Sequence, residues 1–210
     1  MDFVFDPGLV LYLPLWKLDG ASFASKDAPQ HLCTVTGALW RPNGRWFDGV
    51  DDIIDCSSAA ILNITDALTV SIWTKWEGDW LAGTYMAIYK DGQYEIHNYN
   101  SVQAIKAQVS LSGGSVTVAF DNPQKGYWYH LGLTYNKDSG NARLYVNGEL
   151  IDEDTGTGTI TSSASTLYIG AKLGSQMPFY GIIGDVLIFN RALTPQEIQR
   201  NYLATKWRYR

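Results

Sequence analysis

Short runs of alternating apolar and polar residues, cut by glycine, proline and asparagine, recur along most of this 210-residue chain. The clearest is ALTVSIWTKW at 67–76, where Leu68, Val70 and Ile72 alternate with Thr69, Ser71 and Trp73, the period of two that gives each set its own face of a sheet. Further strands are predicted at 31–40, 45–48, 52–56, 84–90, 93–98, 102–111, 115–120, 128–135, 167–171 and 184–190. LVLYLPL at 9–15 is a short apolar run closed by proline, which suits a strand buried on both sides, and 16–30 reads as loop. Asn147-Gly148, between the apolar halves of LYVNGELI at 144–151, supplies the positive φ angles of a two-residue hairpin turn. Residues 155–165, rich in Thr, Gly and Ser, form a polar loop between strands. The period changes only at Thr194-Pro195-Gln196-Glu197, a capping box with proline at the first helical position, which starts a short helix running to about Leu203. About a dozen short strands and one terminal helix predict an all-β, two-sheet antiparallel β-sandwich, one domain over residues 1–210.

Composition agrees, since 13% aromatic residues and 20 glycines favour pleated surfaces and tight reversals over helices. A formal charge of −5 offers no attraction to phosphate backbones, which argues against nucleic acid as a partner, and no apolar run approaches a membrane span. The basic cluster Lys206-Trp207-Arg208-Tyr209-Arg210 reads as a frayed helix end whose cations complement the helix dipole, with an interaction tail as the alternative. MDFVFDPG at 1–8 carries acid where an export signal needs Lys or Arg followed by a long apolar stretch. Either the chain is a trimmed, mature form or it does not use that route. Cys33 and Cys56 bear on the compartment. If Pro42-Asn43-Gly44 turns a hairpin centred near Asn43, Cys33 faces about residue 53, which leaves Cys56 off register for a bridge. Two buried thiols are then the expectation and a disulfide the alternative.

Seven stretches taken together resemble the concanavalin A-like lectin/glucanase superfamily, and within it the laminin-G-like jelly-roll domains. They are GLVLYLPL at 8–15, FDGVDDII at 47–54, ALTVSIW at 67–73, WYHLGLTY at 128–135, ARLYVNGELI at 142–151, LYIGA at 167–171 and GDVLIFNRALTPQEI at 184–198. The resemblance spans nearly the whole chain in family order and implies a concanavalin A-like jelly roll. That fold carries lectins, glycosidases, lyases and adhesion modules alike, so it leaves function open. It also implies a structural Ca²⁺ on the outer face, held by an Asp of the final strand, here Asp185, with backbone carbonyls of the N-terminal strand and of a glycine-bearing turn such as that at Gly49; Asp52 of the same turn is a further side-chain candidate. The other reading of Asp48, Asp51 and Asp52 is that they only shape and solubilise a turn.

Enzymatic signatures are incomplete. The Glu-x-Asp-x-x-Glu strand of the family's β-glucanases is matched only by Glu77-Gly78-Asp79, and the second glutamate is absent. Tyr94-Glu95-Ile96-His97 distantly resembles the Gln-x-His strand of jelly-roll polysaccharide lyases, with Glu where Gln is expected. Binding is what remains, because sugars are recognised by aromatic faces with amides and carboxylates nearby. Trp76, Asp79, Trp80 and Tyr85, in one glycine-flanked loop, are the leading contact residues. Tyr99, in Asn98-Tyr99-Asn100, is a second candidate, as is Met177-Pro178-Phe179-Tyr180. The alternative for the loop is that Trp76 and Trp80 pack beneath it and close the end of the sandwich. A non-catalytic glycan-binding or adhesion domain follows, with a cell-surface polysaccharide as partner and an extracellular location. A capsid or tail component, located at a virion surface and partnered by virion proteins or its own copies, is the alternative, and a polysaccharide-active glycosidase or lyase, disfavoured by the missing second acid, is the third reading.

Overall fold

The computed structural model describes residues 6–80, 82–99 and 102–210. Among these described residues, sixteen strands fold into two antiparallel sheets of eight. In chain order they are β1 (Leu9–Pro14), β2 (Ser22–Ala24), β3 (Leu32–Thr36), β4 (Leu39–Arg41), β5 (Gly44–Asp48), β6 (Ile53–Asp55), β7 (Ala67–Trp76) and β8 (Met86–Lys90). The rest are β9 (Tyr94–Tyr99), β10 (Ala104–Leu111), β11 (Gly114–Asp121), β12 (Trp128–Asn136), β13 (Asn141–Val146), β14 (Glu149–Thr155), β15 (Leu167–Ile169) and β16 (Tyr180–Phe189). Helix α1 (Pro195–Thr205) follows, opened by the expected capping box of Thr194 and Glu197. The first sheet runs β14-β13-β12-β7-β16-β5-β4, with β1 also on β16, and the second runs β11-β10-β9-β8-β15-β6-β3-β2. The β-sandwich and its terminal helix are as the periodicity predicts.

Apart from β16, which begins at Tyr180 and not at 184, the differences lie at short elements. The predicted strand at 31–40 is two strands, because the chain turns at Gly37 (φ +77°) and crosses from the second sheet to the first. A side chain at Gly37 would overlap the Asp52 carboxylate, so only glycine fits this corner. The 16–30 loop contains β2, which is too short to show a period. It is held by Arg45, whose buried guanidinium donates to the carbonyls of Leu18, Gly20 and Ala38.

Leu68, Val70 and Ile72 of β7 point between the sheets with Leu131 and Leu133, against Ile88, Ile96, Ile105 and Val109 of the second sheet, all fully buried. The other face of the first sheet is also covered. Ile198 of α1 is buried there with Leu187 and Phe189, and Trp73 stacks on Tyr202 and Tyr209 at 5.8 and 4.3 Å. The basic C-terminus is therefore docked and not frayed. Arg208 donates to Asp185 Oδ2 at 2.7 Å and lies 3.8 Å over the Trp16 ring, while the Tyr209 hydroxyl accepts from the Asp185 amide. Asp185 is 1% exposed and sits where the β16–β7 register shifts between Ile183 and Val186. No helix of the described residues is long and apolar enough to cross a membrane.

A buried carboxylate deprived of its cation is costly, so Arg208→Ala is expected to lower unfolding stability by about 3 kcal/mol, read by denaturant titration. No change would show that the C-terminal dock is incidental. Arg191 joins Asp6 to Glu197 and, with the Thr194 cap, holds the Glu197 carboxyl down at about 2, below its ordinary 4.5. A depressed folded value gives stability that is present above pH 4.5 and lost as pH falls toward 2. Glu197→Gln should flatten that part of the stability-against-pH curve.

Candidate functional site

Because α1 and the C-terminus cover the outer face of the first sheet, the open face belongs to the second. Its hydrogen-bond register sets one row of side chains straight across seven strands: Thr34, Asp55, Tyr168, Tyr89, Glu95, Gln108 and Thr117. Each alternates with a buried partner on its own strand, such as Ile54, Ile169, Ile88, Ile96 and Val109, so the same period that builds the core presents this row outward. All seven are at least partly exposed.

At the centre of the row a cleft of about 590 Å³ opens between Tyr89, Asp91, Tyr168, Lys172 and the backbone around Leu173 and Gly174. Tyr89 and Tyr168 are direct cross-strand neighbours. The Tyr89 hydroxyl donates to Asp91 Oδ1 at 2.6 Å, and burial together with that carboxylate raises its pKa, so it stays a neutral donor. Lys172 Nζ lies 4.6 Å over the Tyr89 ring and 3.6 Å from Glu95. Glu95 also lies 3.4 Å from His97, the next outward residue of β9. Beyond it Tyr99 is 39% exposed with Lys106 Nζ 4.0 Å over its ring. This face therefore holds aromatic rings, carboxylates, an amide and two lysines, with no bulky aliphatic residue in the row.

Of the sequence candidates, Tyr99 lies on this face, whereas Asn100 and Leu81 fall outside the described residues. Trp76 and Trp80 are 1% and 6% exposed, 5.4 Å apart, with Trp76 also against Phe179 at 4.5 Å. They close the end of the core and present no ring to a ligand, which decides between the two readings of that loop. Asp79 is exposed on its turn, and Tyr85 is half-buried with its ring against Gly78. Phe179 is core, while Met177 and Tyr180 are exposed. The cleft residues Tyr89, Tyr168 and Lys172 escaped the sequence reading. Alternation in MAIYK and LYI marks both tyrosines as outward, but nothing local says that β8 and β15 are neighbours.

The histidines are placed individually. His130 is buried, bonds Ser71 Oγ at 2.8 Å, and is pushed down to about 3 by burial, so it stays neutral and structural. His31 is buried too, with its Nε2 2.8 Å from the Val10 carbonyl and 3.6 Å from Asp27.

The three residues expected to share a calcium ion are not brought together. Asp48 pairs with Tyr180 and Asp185 with Pro14, so Gly49 and Asp185 lie five residues apart along β16, on the order of 16 Å. Both Asp185 oxygens are engaged, Oδ1 by the Trp16 indole at 3.0 Å and Oδ2 by Arg208, and a carboxylate already neutralised by arginine is a poor calcium ligand. In the FDGVDD turn, Asp48, Asp51 and Asp52 can bring one oxygen each within 4.8 Å of one another. Asp52 Oδ2, however, accepts from the Asp48 amide, and Asp48 Oδ1 accepts from the Val50 amide, each at 2.8 Å. Gly49 (φ +79°) passes under Tyr180 with no space for a side chain. These are the bonds of a carboxylate-stabilised turn.

A family model described as concanavalin A-like lectin/glucanases superfamily matches residues 48–199. The chain belongs to that superfamily. No curated protein matches it. Among solved structures, the botulinum neurotoxin serotype G binding domain has 16% identity and a TM-score of 0.75, covering 94% of this chain and 51% of that one. The serotype D ligand-binding domain in complex with N-acetylneuraminic acid gives the same identity, TM-score and coverage. The type C protein, whose cell entry depends on two ganglioside molecules, has 16% identity and a TM-score of 0.71, covering 94% and 51%. The chain thus spans about half the length of these neighbours, and at such identity the likeness establishes the shared fold.

If the turn acids act as scaffolding, excess EDTA and millimolar calcium should give the same Tm by calorimetry. A calcium-dependent rise of several degrees would show that they hold an ion.

Proposed function

We propose that this chain is a non-catalytic carbohydrate-binding domain that takes a glycan or cell-surface polysaccharide on the open face of the second sheet, at an extracellular surface. The observation that carries this reading is the row Tyr168, Tyr89, Glu95, Gln108 with Lys172 above it. A pyranose presents one face of C–H groups and a rim of hydroxyls. Tyrosine rings stack on the first, and carboxylate, amide and lysine groups hydrogen-bond the second. Neighbouring strands are about 4.8 Å apart, so the row offers successive polar contacts at roughly the repeat of a sugar chain. The sialic acid and ganglioside interactions named for the neurotoxin neighbours support sugar as the ligand class. They describe proteins twice as long as the matched region, so the residues of this face are the stronger argument.

Catalysis is disfavoured by the arrangement. Retaining hydrolysis needs two carboxyl groups about 5.5 Å apart. On this face Glu95 is paired with Lys172 and His97, the Asp91 carboxylate in the cleft accepts from the Tyr89 hydroxyl, and the other carboxylate of the row, Asp55, lies on β6, with β15 and β8 between it and β9. Glu77, of the incomplete glucanase-like motif, pairs with Lys75 at 3.3 Å away from this row.

Tyr168→Ala should weaken binding to responsive glycans on an array by about tenfold, the worth of one stacking ring near 1.4 kcal/mol, while the far-UV spectrum and Tm stay close to the parent. Unchanged binding would remove the cleft from the site. Release of oligosaccharide from a bound polysaccharide would overturn the non-catalytic reading.

A further inference from the structure

Cys33 and Cys56 were expected to be off register, because the hairpin at Pro42-Asn43-Gly44 was extended back to residue 33. The hairpin exists, pairing Arg41 with Gly44, but it belongs to β4 and β5 in the first sheet. Cys33 lies beyond the Gly37 corner in the second sheet, where β3 pairs with β6 through Thr34 and Asp55, Val35 and Ile54. The next position on that antiparallel ladder sets Cys33 directly opposite Cys56.

The type of pair also matters. The Cys56 amide donates to the Leu167 carbonyl at 2.9 Å, on the side away from β3. On the far side of β3, the Val35 amide donates to Ala21, and Ser25 donates to His31, so residues of this parity bond toward β2. Cys33 and Cys56 therefore form a non-hydrogen-bonded pair, whose Cα atoms approach to about 4.5 Å, within the window of about 4.4–6.8 Å that a disulfide spans. Both side chains are fully buried in the same core cluster. The Cys33 thiol donates to the His31 carbonyl, and the neighbouring Cys33 thiol together with burial pushes the Cys56 thiol well above its ordinary pKa. In the folded, reduced protein Cys56 is thus a poor nucleophile and both sulfurs are shut away from solvent, which confines chemistry to folding or to opening of this edge.

We propose that Cys33 and Cys56 are a cross-strand redox pair that closes to a disulfide as the chain folds in an oxidising compartment, stapling the β2–β3 ribbon to β6. The ribbon is the outer edge of the sheet that carries the binding face, and β3 and β6 hold it by a ladder of only three pairs. With a glutathione redox couple as oxidant, one thiolate attacks oxidised glutathione and releases one reduced glutathione. The second thiolate then displaces the other, so two protein thiols become one disulfide, one oxidised glutathione becomes two reduced, and the thiol protons leave with them.

The test is to refold the whole chain from guanidinium in a glutathione redox buffer or in dithiothreitol. The glutathione arm should lose about 2 Da by intact mass, show no thiol titratable after denaturation, and melt about 10 °C higher than the reduced arm. The C33S/C56S double variant should melt alike in both arms. Two titratable thiols with unchanged mass after glutathione refolding would overturn the proposal, as would a disulfide form that melts no higher than the reduced one. Should the chain fail to refold, mass and thiol content of protein expressed into an oxidising periplasm read out the same two results.

Discussion

A carboxylate buried in the middle of a sheet must find a cation, and in this protein that requirement joins the two ends of the chain. Asp185 occupies the irregular centre of β16, beneath Trp16 and within reach of Arg208. Gly184 beside it has no side chain because Tyr209 occupies that space, its ring 2.5 Å from where a Cβ would stand. The pairing brings α1 and the last residues onto the first sheet, where Trp73, Trp128 and Tyr209 stack. An apolar residue at 185 could give comparable stability, since removing two charges from water costs about what their attraction returns. What the ion pair adds is a fixed position for the C-terminus.

That position makes the two outer faces unequal. Alternate residues of β7 and β12 that would otherwise meet water, such as Thr69, Ser71 and His130, are buried under the helix, where Thr69 donates to the Arg191 carbonyl and Ser71 bonds His130 Nε2. The second sheet has no such cover, so its outward residues remain polar and partly exposed. A sandwich of this kind thus separates tasks by geometry: the interior and the helix-covered side carry stability, and the remaining face is free to vary in chemistry.

Turn acids illustrate how the same residue types change meaning with context. FDGVDD has the composition of a metal loop, yet its carboxylates accept amide hydrogens of the turn itself, and Asp52 is wedged into the space left by Gly37. Burial raises the Asp52 pKa, with the neighbouring acids adding to it. Glu95 contrasts with it, lying between Lys172 and His97 on a rigid strand.

Local alternation in the sequence determined which residues face the core, where most strands run and where the capped helix begins, because a period of two or of 3.6 is a property of neighbouring residues. It located β7 and the Asn147-Gly148 hairpin, and left the burial of Trp76 and Trp80 as an open alternative. Short elements such as β2 were hidden, since three residues carry no period. Only the tertiary structure decided which strands are neighbours. Strand pairing set Tyr89 beside Tyr168 and Cys33 opposite Cys56, separated Asp185 from Gly49, and docked the basic tail that composition assigned to solvent. The physical reason is that register between distant strands is chosen by the packing of the whole core, a sum of weak contacts that no single stretch of sequence contains.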